Sequence, residues 1–185
     1  CILTAEKEGG RQNTAGIYWN SHGGLRFSTS VGGKATGWHA HIQVVDDPTK
    51  PKDVEMGGAQ AKNALARTEK WWQSTMATRK ANPLQFARVV MMQRLHAKDL
   101  SGVCEATGDY IKLALPMRFV PEKKCATPVG EDPRTEEGEL LFPKRYPEDV
   151  VKVTEKELGP RDTAAQLQQT PSQDSGDIFK RAWML

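Results

Sequence analysis

Residues 40–52 read AHIQVVDDPTKPK, and the fold turns on how this stretch is read. Ile42, Val44 and Val45, interrupted by Gln43, form an apolar run that stops at two adjacent carboxylates, Asp46 and Asp47. Pro48 follows, and a proline cannot donate to a sheet ladder, so the strand must end there. In open α/β sheets ligands bind outside the carboxyl ends of the strands. Both acids would then face the ligand crevice while the apolar residues stay in the sheet. Two carboxylates at a strand end suit Mg2+, which often takes one or two ligands from protein and the rest from water and phosphate. Asp-Asp-Pro is also good turn chemistry, so the rest of the chain has to decide between a site and a turn.

Downstream, residues 58–80 carry Ala61, Leu65, Thr68, Trp72 and Met76 on one helical face at three- and four-residue steps. Trp72 on that stripe reads as core. Asn82-Pro83 stops the helix, and residues 86–92, FARVVMM, read as a second strand, buried on both faces. Strand, helix and strand make a βαβ unit, which is expected to be parallel and right-handed. Gln93, Arg94 and His96 follow the second strand, with a short helix over residues 98–106. Two neighbouring strands thus deliver two acids, an amide, a guanidinium and an imidazole to one sheet edge. Read blandly, Arg94 makes a surface ion pair with Asp99, and His96 is a structural histidine.

Upstream, Ile17–Trp19 and residues 25–30 flank Asn20-Ser21-His22-Gly23-Gly24, the pattern of a hairpin. The next stretch, SVGGKATG, has to be tested as a phosphate-binding loop of the form GxxxxGK[ST]. Gly33-Lys34 fits the middle, but Ala35 stands where Ser or Thr must reach Mg2+ and Ser28 where the first glycine belongs. It reads as a glycine-rich turn leading into a strand. His39 and His41 alternate on one side of that strand, but without a third ligand they do not make a zinc site.

Past Gly108 the chain changes character. Residues 113–121 read as a strand, and residues 122–138, rich in Pro, Gly, Glu and Lys, as an exposed excursion. Helices are predicted over residues 147–158, with Gly159 as a stop, and over 161–169; a turn-rich linker then reaches a last apolar patch.

The chain has 185 residues, enough for one substantial core and little room for two. With 38% hydrophobic and 26% charged residues, it reads as neither disordered nor membrane-embedded. No apolar segment approaches the roughly 18 residues of a membrane span, and the start CILTAEKEGG does not read as a secretory signal. Residues 1–100 hold 14 Lys/Arg against 8 Asp/Glu, while residues 101–185 hold 12 against 15. The basic first half is compatible with phosphate-bearing partners. Cys1, Cys104 and Cys125 form no CxxC and cannot all pair, which favours a reduced, cytosolic setting. Cys1 in the first position leads us to expect a piece of something longer.

Taken in order, GGLRFSTSVGGKATG, IQVVDDPTKP, WWQSTMATR, VVMMQRLHAKDLSG and AQLQQTPSQDSGDIFKRAW resemble the large terminase subunit of tailed bacteriophages, the motor that packages double-stranded DNA into procapsids. The resemblance covers nearly the whole chain, and it lies in the order and spacing of the motifs. It implies an α/β fold: a partial RecA-like P-loop ATPase core with a parallel sheet over residues 1–108, then a small, mostly helical lid and linker over 109–176. Residues 177–185 would begin the connection to a nuclease domain. VVDD resembles a Walker B motif, which implies that Asp46 holds the Mg2+ of Mg·ATP and Asp47 is the catalytic acid that activates water, where many relatives carry Glu. Gln93 and Arg94 resemble the coupling motif that senses the γ-phosphate of ATP. The implied partners are double-stranded DNA, the portal protein, the small terminase subunit and further copies of the same subunit. The implied location is the host bacterial cytoplasm, with transient attachment to the procapsid portal. No Walker A lies in the chain, so weak ATP binding by this chain alone is expected. The alternatives are a non-enzymatic DNA- or portal-binding remnant of such a protein and a fragment of another, helicase-like P-loop ATPase.

Overall fold

Gln43 and Val45 are buried while Ile42, Val44 and Asp46 are exposed, the two-residue alternation of a strand with one covered face. In the computed structural model, which describes residues 14, 16–55 and 57–172, this strand runs from Ile42 to Asp46. Two shorter strands precede it, so we label it β3. β1 (Ile17–Trp19) and β2 (Leu25–Phe27) pair antiparallel around Asn20, whose side-chain oxygen accepts from the N–H groups of His22 and Gly24. The SVGGKATG stretch follows as turns, and Phe27 stacks on Trp38 across it at 4.8 Å.

β4 (Ala87–Met91) lies parallel to β3, with Val44 opposite Val89 and Asp46 opposite Met91. The crossover between them comprises α1 (Pro51–Glu55) and α2 (Gly58–Lys70), the latter continuing as a π-helical turn over Trp71–Thr75. The βαβ unit expected from the sequence is therefore present, with the long helix changing pitch at Trp71. α3 (Leu100–Thr107) follows β4.

Val45, Trp71, Trp72, Leu100 and Cys104 form the main apolar cluster on the inner face of the sheet, with Val90 and Met92 packed against it. Burial pushes the Cys104 thiol above its ordinary value, outweighing hydrogen bonds with Tyr110 and Trp72 that work the other way. Such a thiol is a packing group rather than a nucleophile. A second cluster, Val54, Ala61 and Leu65, joins α1 to α2. Gln43 is tolerated on the inner face because its amide is fully used. Its nitrogen donates to the carbonyls of Met76 (3.0 Å) and Arg79 (3.2 Å), and its oxygen accepts from Arg88 Nε at 3.2 Å.

The outer face corrects the sequence reading. The β4 segment was expected to be buried on both sides, yet Val89 is 40% and Met91 50% exposed, beside Ile42 at 62% and Val44 at 57%. An apolar run signals two covered faces only when two layers exist, and among the described residues just one layer packs on this sheet.

Residues 113–121 also depart from expectation. They form no strand, because their backbone partners are scattered: Met117 N–H donates to the Leu167 carbonyl and Phe119 N–H to that of Glu139. Only an isolated bridge, Arg118 with Leu140, has ladder geometry. The polar excursion after it is anchored, not fully exposed, since Asp132 and Arg134 within it are buried. It holds a 3-10 turn (Pro121–Lys123) and a two-residue hairpin, β5 (Ala126–Thr127) with β6 (Gly130–Glu131). α4 spans Glu148–Asp162 but is interrupted at Gly159, whose φ of 74° ends the first helix where the sequence placed its stop. A second π-helical turn covers Thr163–Leu167. Arg118 clamps this half: its guanidinium bonds both Glu148 and Glu155, and its backbone exchanges two bonds with the Gln168 side chain. The expected connection over residues 177–185, and the end of the AQLQQTPSQDSGDIFKRAW motif from residue 173, lie outside the described residues. No described helix is long and apolar enough to cross a membrane.

Candidate functional site

Asp46 is the last residue of β3, on the same outer face as Ile42 and Val44, and its carboxylate is exposed with no hydrogen bond to any described residue. Asp47 continues the ladder by one bond, its N–H donating to the Met91 carbonyl at 3.0 Å. Its φ of 39° then turns the chain in the left-handed region, which aspartate tolerates better than most residues. Oδ1 of Asp47 accepts the backbone N–H of Gln93 at 3.2 Å. The acids and Gln93, read separately from the sequence, therefore meet at the carboxyl ends of two parallel strands. The Gln93 side chain is exposed and makes no hydrogen bond to any described residue. Two residues beyond Asp47, Thr49 is 5% exposed and its Oγ1 has no hydrogen-bond partner among the described residues. The sequence reading passed over it, because a threonine after Asp-Asp-Pro looks like turn chemistry.

Arg94 points elsewhere. Its Nε bonds both oxygens of Asp99, at 3.1 and 3.0 Å, and an Nη lies 3.6 Å from Glu105 on α3. This is the Arg94–Asp99 pair considered from the sequence, but it is buried: Arg94 is 8% and Asp99 0% exposed. Asp99 does far more than pair. It is the N-cap of α3, accepting from Gly102 N–H at 2.9 Å, and it also takes the N–H groups of Leu95 and His96. One carboxylate thus shapes the whole loop after β4. The signal was legible in Asp-Leu-Ser-Gly opening an apolar helix, yet sequence reasoning used Asp99 only as a counter-ion. Gly102 is required beside it, since a Cβ there would collide with the Ala97 carbonyl oxygen. His96 is 5% exposed, and its Nδ1 accepts from the Lys98 N–H at 2.9 Å.

Whether Mg2+ suits this edge can be judged from its donors. Among the described residues no group of three or more His, Cys, Asp or Glu side chains could cage a metal. Asp46 with both oxygens open, and Asp47 with Oδ2 unbonded, instead fit an ion that takes one or two carboxylates and fills its remaining positions from phosphate and water. A comparison with models of known protein families finds no match to this sequence, and no curated protein matches it significantly.

Proposed function

We propose that this chain is the Walker B to lid-subdomain part of the large terminase subunit of a tailed bacteriophage, an ATP-driven motor that moves double-stranded DNA into a procapsid. The observation that carries the reading is the 3.2 Å bond from Gln93 N–H to Asp47 Oδ1, which ties the second acid to the end of the neighbouring parallel strand. The finer fold that this reading requires is a RecA-like P-loop core. The parallel pairing of β3 with β4 through a helical crossover supports it, since such cores are built from βαβ units.

In this reading Asp46 holds the Mg2+ of Mg·ATP directly or through water. The ion, when bound, neutralises charge on the phosphoryl oxygens. Asp47 keeps Oδ1 on Gln93 and offers Oδ2 to orient the attacking water and accept its proton. The exposed Gln93 amide reaches for the γ-phosphate. Arg94 acts as a positioning residue: a shift of Gln93 pulls on Arg94, and through Asp99 on the start of α3. The portal, the small subunit, DNA and neighbouring copies of the subunit are the partners that this reading entails, and the host cytoplasm is its setting.

Titration of a fluorescent ATP analogue into the chain tests the proposal. Binding should be weak, since the backbone cradle of a Walker A is missing from the sequence. It should also need Mg2+ and drop at least about tenfold in Asp46→Asn. Tight binding, or binding that ignores both Mg2+ and Asp46→Asn, overturns the assignment. Salt-sensitive DNA binding with no nucleotide response would instead favour a DNA-binding remnant.

A further inference from the structure

At the opposite end of β4 from the acids, the sheet and the helices part to leave a cavity of about 540 Å3, within the size range of small-molecule sites. It opens between the start of β4, the π-helical turn after α2 and the end of α3. Arg88 and Gln93 are five residues apart on an extended chain, roughly 16 Å, so this cavity is separate from the crevice at Asp46 and Asp47.

Its walls combine rings and cations. Arg88 lies with its guanidinium 4.0 Å from the centre of the Trp72 ring, and Lys80 places its ammonium 5.5 Å from that of Phe86. Tyr110 closes another side, its hydroxyl accepting from Trp72 Nε1 at 3.2 Å. Arg88 is held in place rather than neutralised: Nε donates to Gln43 Oε1 and one Nη to the Trp72 carbonyl, both at 3.2 Å. Neither Arg88 nor Lys80 forms an ion pair with any described carboxylate. The one acid at the mouth, Asp109, leaves the cavity with a surplus positive charge.

A guanidinium with one face on an indole and a free edge is a prepared seat. A second ring stacks on the open face, while an anion takes the unused N–H. We infer that this cavity binds a small planar aromatic molecule carrying an anionic group, phosphate or carboxylate, with the ring against Arg88 and Tyr110 and the anion between Arg88 and Lys80. The inference does not depend on the packaging reading.

Ligand-observed NMR with phenyl phosphate, benzoate and neutral phenol tests it on the full chain. At least one of the two anions should bind about fivefold or more tightly than phenol, and which anion does so identifies the group preferred. Lys80→Gln should weaken that binding about fivefold. Ile111→Glu should abolish it, because Ile111 lines the mouth, is 61% exposed and can take a carboxylate without disturbing the core. Unchanged circular dichroism of both variants confirms that the fold is kept. The inference falls if neither anion binds more tightly than phenol, or if both variants bind as the parent does.

Discussion

Around residues 94–102 a buried aspartate holds the backbone and an arginine completes the charge; around residues 117–139 the arginine holds the backbone and the aspartate completes the charge. Asp99 gathers three backbone N–H groups at the start of α3, whereas Arg134 donates to the carbonyls of Met117 (3.3 Å) and Glu139 (3.0 Å) while Asp132 grips its other edge. The two braces answer different needs. A helix start exposes N–H groups and needs an acceptor, whereas the carbonyls of Met117 and Glu139 already accept the N–H groups of Leu141 (2.8 Å) and Phe119 (2.9 Å) and take Arg134 as a second donor. The surroundings differ as well. The first pair adjoins an apolar layer built on Trp71, Trp72 and Leu100, but the second half buries few apolar groups, chiefly Phe119, Val151 and Ala165. Polar bracing there replaces much of the work that apolar burial does in the first half.

The largest effect should come from emptying the apolar layer. Trp72→Ala removes a side chain 2% exposed together with the floor beneath Arg88, and should cost about 4 kcal/mol. The loss should be read as amide-exchange protection falling at Val45 and Val90 more than at Phe119. An equal fall in both halves would dissolve the contrast drawn above. Next in size, Arg134→Met leaves the buried Asp132 carboxylate without its cation and takes the second donor from each of two carbonyls, a loss of about 3 kcal/mol centred on residues 117–139. A change under about 1 kcal/mol would mean that the pair is ornamental.

Acid gives a smaller, graded test. Hydrogen bonds from Arg134, foremost, hold the Asp132 carboxyl below its ordinary value, and Arg118 does the same for Glu148. A carboxyl depressed on folding contributes stability that is fully present above the ordinary carboxylate range and is lost as pH falls through the lowered value. The amide signals of Phe119 and Leu141 should therefore shift below about pH 4, and Asp132→Asn should flatten that response. A response that is the same in Asp132→Asn would place the titrating group elsewhere.

The first half was the more legible in sequence, and for a physical reason. A repeat such as Ala61, Leu65, Thr68 and Trp72 states which face is buried, and an apolar run ending in acids and proline states where a strand stops, so the βαβ unit and the meeting of Asp47 with Gln93 could be expected. The second half gave no comparable signal. Asp132 and Arg134 stand among Glu, Lys and Pro, and nothing in composition marks one charged pair out of many as buried. Residues 113–121 look like a strand because β-prone residues also suit extended chain whose partners come singly from distant segments. Arg94 lay between these cases: its neighbour Asp99 was visible, but the burial of the pair was not.

The π-helical turn at Trp71–Thr75 explains how two consecutive tryptophans can both be buried, 8% and 2% exposed, since its wider coil, closed by Met76 N–H on the Trp71 carbonyl, turns less per residue. Such a turn amounts to one extra residue let into an α-helix. Deleting Ser74 would let the coil close to ordinary pitch without rotating the helix ahead of it, because the wider turn absorbs the inserted residue. Ala61 and Leu65 would then keep their seat against Val54 of α1, so the single inserted residue serves the burial of the two tryptophans and not the phasing of the crossover.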